Sequence, residues 1–251
     1  LTGKMITALA LSHGTLEEVA QRVESVDAEL VVVPRQDNII FTGGAAFPDK
    51  YVPLIEQVRV DESPVVAEVI PVLFDQLQMG GQQQRVFAIE RRAIPTFLAG
   101  RKLVEGRWFD QDGHFESYIA SMADSAGRYD PDRVDPARFD EACELVIDTR
   151  LARVGHYAVG DAVEVLGRTF RIVGVVEAGV AGRVFCPLVT LRHIKTGGAR
   201  WSSTYFVKLR DAADAERAAD VIAERISARV ELKSDYRSEE RRVGKECRSR
   251  W

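Results

Sequence analysis

The chain has 251 residues, enough to bury a substantial core either as one large domain or as two subdomains. Hydrophobic residues make up 46% and charged residues 29%, an ordinary balance for a globular protein that excludes disorder over most of the chain. The formal net charge of −4 argues against a general nucleic-acid binder, because such proteins carry a basic face or stripe. The charge is uneven: residues 237–251 carry net +3, which leaves −7 on the residues before them.

The three cysteines, Cys143, Cys186 and Cys247, are far apart and form no CxxC pair. This pattern favours two buried small side chains and one incidental thiol over a disulfide framework or a zinc site. No run approaches the roughly 18 apolar residues of a membrane-spanning helix. The apolar run Met5–Leu11 is too short to span, and a clipped signal peptide is the alternative interpretation, although no small-residue cleavage pattern follows it.

The N-terminal segment predicts a helix followed by a strand. Thr15 and Glu18 have the spacing of a capping box, and apolar residues then recur on one helical face. These residues are Leu16, Val19, Ala20 and Val23. The valine-rich run Glu29–Pro34 predicts a buried strand, and residues 37–48 predict an exposed loop.

A second helix and a hairpin are expected next. Pro53 suits the first turn of a helix whose inner face would contain Leu54, Ile55 and Val58. Val65–Leu77 predicts a long strand that needs a bulge or an edge at Pro71. Gly80 and Gly81 then turn the chain into a partner strand at Arg85–Ile89.

The middle of the chain predicts a second subdomain with a polar insertion. Ile94–Phe109 indicates a short helix and a loop that contains Gly106, and residues 111–141 indicate a long insertion with little core of its own. Its acidic run resembles a calcium loop but has Asp135 where the EF-hand turn requires glycine. The sequence therefore favours a solvated loop. The acidic residues concerned are Asp130, Asp132, Asp135 and Glu141.

The stretch 144–182 gives the clearest local pattern. Glu144–Ile147 predicts a strand, and Asp148 is placed to cap a short helix that begins at Thr149. A turn at Gly160 and Asp161 leads into Ala162–Leu166. A two-residue turn at Gly167 and Arg168 then joins that strand to Thr169–Val176.

The C-terminal third predicts strand, helix, strand. Val184–Val189 indicates a further strand placed at an edge by Pro187, and Thr204–Leu209 alternates cleanly as a strand. Ala215–Arg229 has the period of an amphipathic helix, and Val230–Leu232 opens a closing strand. This unit could pair with the strand, helix, strand unit of the first eighty residues, which would make the middle of the chain an insertion.

No catalytic, cofactor-binding or metal-binding residues are predicted. The scattered histidines, the turn glycines and the serines lack the spacing of a metal site, a phosphate loop or a hydrolase nucleophile. These residues are His13, His114, His156, His193, Gly174, Gly179, Gly182, Ser12, Ser121 and Ser202. Four neighbouring aromatics, Trp108, Phe109, Phe115 and Tyr118, allow either a binding platform or an anchor for the insertion, and the anchor is favoured.

Five segments in their order together resemble one family, the MacB-like periplasmic core domain of ABC transporter permeases of the MacB, LolC and FtsX type. Each segment alone is a common pattern of glycine turns between valine strands, and the ordered set is the more specific signal. The segments are LVVVPR (Leu30–Arg35), LVEGRWF (Leu103–Phe109), ELVIDTRLAR (Glu144–Arg153), VGDAVEVLGRTFRIVGVVEAG (Val159–Gly179) and VKLRDAADAERAADVIAERI (Val207–Ile226).

The resemblance implies an α+β fold with a discontinuous porter-like subdomain built from both ends of the chain and an inserted β-rich sabre-like subdomain. Mapped onto this sequence, residues 15–92 and 203–236 would form the porter-like part, and 93–202 the sabre-like part with insertion 111–141. Residues 1–14 would be a membrane-proximal lead-in. Residues 237–251 lack periodicity and core residues, and indicate a non-native or disordered tail, with a genuine basic tail as the alternative.

The resemblance also implies a function without catalysis. Such a domain lies on the periplasmic side of an inner-membrane permease and transmits the conformational cycle of a cytoplasmic ABC ATPase to extracytoplasmic substrates or partners. A second permease copy, as a homo- or heterodimer, and a periplasmic adaptor or lipoprotein are the further partners implied. The alternative is a soluble periplasmic interaction or adaptor domain without a transport role. A cytoplasmic nucleic-acid-binding barrel is a third hypothesis, which the negative charge of residues 1–236 disfavours.

Overall fold

The structure, a computed structural model, describes residues 26–34, 47–79, 81–98, 100–109, 113–125, 127–179, 182–226 and 228–233. Several predictions lie outside these residues. They are the lead-in 1–14, the helix that begins at Thr15, most of the loop 37–48, and the tail 237–251 with Cys247.

The described residues form an α+β fold around one large mixed sheet, as the sequence predicts. The strands are β1 (Leu30–Pro34), β2 (Phe47–Pro48), β3 (Arg59–Val60), β4 (Ser63–Pro64), β5 (Val66–Met79), β6 (Gln82–Ile89), β7 (Leu103–Gly106), β8 (Glu144–Asp148), β9 (Ala162–Val165), β10 (Arg168–Val176), β11 (Val184–Pro187), β12 (Trp201–Ser202), β13 (Thr204–Leu209) and β14 (Ala228–Leu232). The helices are α1 (Val52–Glu56), α2 (Ile94–Leu98), α3 (His114–Met122), α4 (Pro136–Glu141), α5 (Thr149–Gly155), α6 (Leu188–Thr196) and α7 (Ala215–Arg225). Among the described helices, none has the length and apolar character needed to cross a membrane.

Ten strands make up the large sheet in the part of the chain that the structure describes. Their order is β14-β1-β13-β5-β6-β11-β8-β10-β7, and β9 also pairs with β10. β1 lies between β13 and β14 and is antiparallel to both, so strands from the two ends of the chain are neighbours. The division into porter-like and sabre-like subdomains with the boundaries given above stays a prediction. The sheet continues across it, because β6 of the porter-like range pairs with β11 of the sabre-like range.

β5 is the strand on which the sheet depends. It pairs with β13 through Val66–Val72 and with β6 through Val72–Met79, so it changes neighbours at Val72. Pro71 pairs with Tyr205 of β13 but lies beyond the end of β6, so one flank of the strand is a local edge at the proline. The predicted edge is therefore present on that flank, where the missing N–H of proline costs no ladder hydrogen bond.

The core lies on both faces of this sheet. Alternation along β5 places Val69, Leu73 and Leu77 on one face, where α1 and α7 cover one end and α3 to α6 cover the other. Ile70 and Phe74 point to the opposite face, which α2 covers. The valine-rich strands therefore reflect burial on both sides, for which continuous apolar runs are typical.

One predicted strand has the observed bounds, a second begins one residue late, and two helix predictions needed correction. The prediction for β13 is confirmed, and β1 is present but begins at Leu30 instead of Glu29. Leu54 does not lie on the inner face of α1, because 41% of it is exposed while Ile55 is buried. The helix predicted to Arg229 ends at Arg225, and the closing strand β14 begins earlier, at Ala228.

The middle of the chain contains more regular structure than the sequence predicts. The loop expected around Gly106 is the edge strand β7. β11 is an internal strand between β6 and β8, and Pro187 ends it because α6 begins at the next residue. The two-residue turn of the β9–β10 hairpin is Leu166 and Gly167, both with positive φ, one residue earlier than predicted.

The insertion 111–141 was wrongly predicted to have little core of its own. α3, α4 and the segment between them bury four apolar side chains, each at most 7% exposed, against the sheet. They are Phe115, Ile119, Val134 and Phe139. The acidic run has capping roles: Asp130 accepts a hydrogen bond from the backbone of Asp132, and Asp135 accepts one from the backbone of Ala137.

Candidate functional site

His13 and Ser12 lie outside the described residues, and the other histidines and serines singled out in the sequence lie in different parts of the molecule. His114 begins α3, His156 follows α5 in the left-handed conformation, and His193 lies on α6. Ser121 is bonded to the backbone of its own helix. Among the described residues, no group of three or more His, Cys, Asp or Glu side chains has the geometry of a metal site.

Two of the cysteines behave as the sequence predicts. Cys143 and Cys186 are both buried and free. Burial is the main cause that raises the pKa of the Cys143 thiol to about 12, with a smaller effect of Asp140. Burial also raises the pKa of Cys186. Both thiols are therefore protonated at neutral pH and act as small apolar side chains.

The four predicted aromatic neighbours do not form one platform. Trp108 packs at 6.0 Å from Phe109, in the core on the α2 face of the sheet. Phe115 packs on the other face, 6.1 Å from Tyr118 and 5.9 Å from Phe139. Phe115 thus anchors the insertion, while the other pair belongs to a separate core.

A buried polar cluster joins distant parts of the chain, and no sequence pattern indicates it. Arg192 on α6 donates to the carboxylate of Asp49 and, at 2.8 Å, to the hydroxyl of Ser202. Ser202 in turn donates to the other carboxylate oxygen of Asp49 at 2.7 Å. The side chains of Asp49 and Arg192 are only 4% and 8% exposed. We call these three residues the Asp49–Arg192–Ser202 cluster.

The cluster connects the segment before α1 to the segment that contains α6 and β12. The Nε of Arg192 also donates to the carbonyl of Trp201 at 3.0 Å, so the guanidinium is satisfied on two sides. A buried ion pair contributes little net stability compared with apolar packing, but it allows one arrangement of its partners, because any other leaves a charge buried alone. The cluster therefore fixes the position of the segment before α1 relative to the segment that contains α6 and β12.

The neighbouring residue on α6 anchors the insertion. The ring of His193 stacks on Tyr129 at an interplanar angle of 9°, and a hydrogen bond of 3.0 Å joins its Nδ1 to the Tyr129 hydroxyl. Phe139 packs on it at 4.4 Å. Burial, and then the nearby Arg168, lower the pKa of His193. This histidine is therefore a neutral packing group in the folded protein.

The first and last strands of the large sheet place the two ends of the described structure next to each other. Leu30 of β1 is opposite Leu232 of β14, and the backbone N–H of Lys233 donates to the carbonyl of Glu29 at 2.8 Å. The segments before residue 26 and after residue 233 therefore join the described structure side by side at the same end of two adjacent strands.

Replacing Arg192 tests the Asp49–Arg192–Ser202 cluster. Arg192→Met leaves the buried Asp49 carboxylate with only Arg200 as a cation, at 3.9 Å and 57% exposed, so we expect unfolding to become easier by about 3 kcal/mol. Arg128→Met, which breaks an exposed pair with Asp124, should cost only about 0–1 kcal/mol. Urea unfolding measures both, and equal small losses would show that the cluster does not constrain the fold.

The histidine on α6 makes stability pH-dependent. Since its folded pKa lies below the unfolded value of about 6.5, its contribution is present above that value and is lost as pH falls towards the folded pKa. His193→Phe should therefore lose less stability than the wild type between about pH 7.5 and pH 5.5. His156→Asn, at an exposed histidine, should keep the wild-type dependence in the same urea titrations. A wild-type dependence in His193→Phe would contradict this assignment.

The chain is similar to one protein family and to several solved structures. The family described as MacB-like periplasmic core domain matches residues 3–225. The periplasmic region of MacB from Actinobacillus actinomycetemcomitans has a similar fold, with a TM-score of 0.55 and 13% identity over 86% of this chain and 94% of that one. The extracellular domain of the ABC-type transporter YknZ from Gram-positive bacteria gives a TM-score of 0.49 and 14% identity, over 82% of this chain and 98% of that one. No curated protein matched the sequence significantly.

The family match spans all of the described helices and every described strand except β14, which begins at Ala228. The likeness to the MacB region covers most of both chains and, at its low identity, shows a shared fold. The chain therefore belongs to the family of MacB-like periplasmic core domains, which are domains of ABC-type transporter permeases.

Proposed function

We propose that this chain is the extracytoplasmic domain of an ABC transporter permease subunit of the inner membrane. In this role it transmits the conformational cycle of a cytoplasmic ATPase to extracytoplasmic substrates or partner proteins, and it performs no catalysis itself. The proposal includes a second permease copy and a periplasmic adaptor or lipoprotein as partners, and no nucleic acid.

The observation that carries the proposal is that the two ends of the described structure are next to each other. A domain inserted between two membrane helices must receive and return the chain at neighbouring points. Glu29 and Lys233 meet this requirement, because their backbones are hydrogen-bonded to each other. A displacement of the two flanking segments would therefore act on β1 and β14 together.

The continuous sheet supports transmission over distance. β1 and β14 connect through β13 to β5, and β5 connects through β6 and β11 to β8 and β10. Packed cores and hydrogen-bonded ladders move as units more readily than they deform. A movement of β1 and β14 would therefore be passed on to β8 and β10 in the other half of the sheet.

Distance measurements on the membrane-embedded permease with its ATPase test the proposal. Val154 on α5 is 58% exposed and lies in the half of the sheet remote from β1, so Val154→Cys can carry a spin label in each permease copy. Cys143 and Cys186 are buried and should not react, and Cys247→Ser removes the third thiol. We expect the distance between labels to shift between the nucleotide-free and ATP-bound, hydrolysis-blocked states.

The control is the same labelled chain without the ATPase, in which ATP should change nothing. An unchanged distance distribution in a permease whose ATPase turns over normally would contradict coupling. That result would favour the alternative of an extracytoplasmic interaction domain without a role in the transport cycle.

A further inference from the structure

A groove of about 1050 Å³ opens beside the β9–β10 hairpin. Residues of α3 and α4 form one wall, and Arg107, Glu144 and Arg171 lie along the other. Phe170 belongs to the core under α3 and α4, so alternation along β10 points Thr169 and Arg171 to the opposite face of the sheet. Because residues of both faces line the groove, it passes around the edge of β10 at Thr169.

That edge lacks a neighbouring strand. β8 begins at Glu144, opposite Arg171, while β10 begins three residues earlier, at Arg168. On the β9 flank, Ile172 exchanges hydrogen bonds with Gly160 and Asp161. On the β8 flank, the N–H of Arg171 donates to the carbonyl of Cys143 at 2.9 Å.

Backbone groups of successive residues in a strand point to alternate flanks, which gives the direction of the N–H and carbonyl of Thr169. Its N–H and carbonyl point to the same flank as the N–H of Arg171, away from β9 and into the groove. Among the described residues, neither group has a hydrogen-bond partner. Unpaired backbone groups of this kind are a template for an added strand.

The charges along the groove favour an acidic ligand. Arg107 is paired with Glu144, and Arg168 lies 4.0 Å from Asp140. Two other arginines lining the groove, Arg138 and Arg171, have no ion-pair partner among the described residues.

Arg138 lies over the ring of Tyr118 at 4.6 Å. Because the ring carries no net charge, the charge of Arg138 is not neutralised and can pair with an acidic group in the groove. Against these two cations, Glu141 is the one groove carboxylate that forms no ion pair with a described residue. Since Asp140 is paired with Arg168, which lies outside the groove lining, the groove keeps an excess of one positive charge.

We propose that this groove binds an extended peptide segment of a partner protein, which adds as a short strand along Arg168–Phe170 and bears acidic side chains that meet Arg138 and Arg171. Main-chain hydrogen bonds supply affinity in this mode, and side-chain contacts supply specificity. The open, largely polar groove suits a peptide better than a small molecule, whose pockets are usually enclosed and mostly apolar. The inference extends the partner role proposed above and does not depend on coupling to an ATPase.

A peptide-binding titration on the full 251-residue chain tests the inference. The probe is a fluorescein-labelled peptide of alternating valine and glutamate, and the matched probe has lysine in place of glutamate. Fluorescence anisotropy should show at least about tenfold tighter binding of the glutamate peptide, a difference set by the unpaired arginines.

Three variants locate the site. Arg171→Glu should weaken binding of the glutamate peptide at least about tenfold by removing the cation and repelling the ligand. Thr169→Pro removes the N–H on the open flank and should also weaken binding, while its β9 pairing stays intact. Arg153→Glu makes the same charge change at an exposed arginine of α5, outside the groove, and should bind within about twofold of the wild type. Urea unfolding confirms that each variant is folded.

Three results would overturn the inference. They are equal affinity for the glutamate and lysine peptides, equal weakening by Arg171→Glu and Arg153→Glu, and binding that neither Arg171→Glu nor Thr169→Pro affects. None of these results bears on nucleotide-dependent movement of the permease, so failure here is distinguishable from failure of the proposed function.

Discussion

The pairing along β5 is the interaction on which the rest of the structure depends. This 14-residue strand holds β13 with one half of its length and β6 with the other, so both halves of the sheet share one backbone. Its side chains enter the cores on both faces. A break in β5 would separate the strands from the chain ends, β1, β13 and β14, from the strands of the middle segment.

Side-chain contacts on α6 support the same connection. Arg192 reaches the Asp49 segment on one side of the helix, while His193 packs against Tyr129 and Phe139 of the insertion. Consecutive residues of one helix thus fix two segments that are remote in sequence. This arrangement suits a domain that passes on movement, because neither the segment before α1 nor the insertion is attached to the sheet by apolar packing alone.

The sequence predicted what local periodicity and turn chemistry decide. The alternation in β13 predicted its observed bounds, and the valine run predicted β1 to within one residue at its start. The Asp148 side chain caps α5 as expected through the N–H of Leu151 at 2.6 Å. Family membership followed from the order of such segments, since glycine turns and valine strands are individually common.

What the sequence did not predict depends on contacts between distant residues. Asp49 and Arg192 are 143 positions apart, and nothing in either segment indicates a buried partner. The sequence of the insertion favours a solvated loop, because Phe115, Ile119 and Phe139 are separated by many polar residues. Only the sheet beneath them shows which face they bury. The groove at Thr169 arises from an offset between the starts of β8 and β10, which sequence patterns do not specify.

Native-state hydrogen exchange along β5 tests the central claim most directly, namely that one strand makes the two halves of the sheet a single cooperative unit. The account predicts that the amides of Ile70, which faces β13, and Leu77, which faces β6, exchange through a common opening with the same free energy and the same dependence on denaturant. Two openings of clearly different free energy, one for each half of β5, would contradict it.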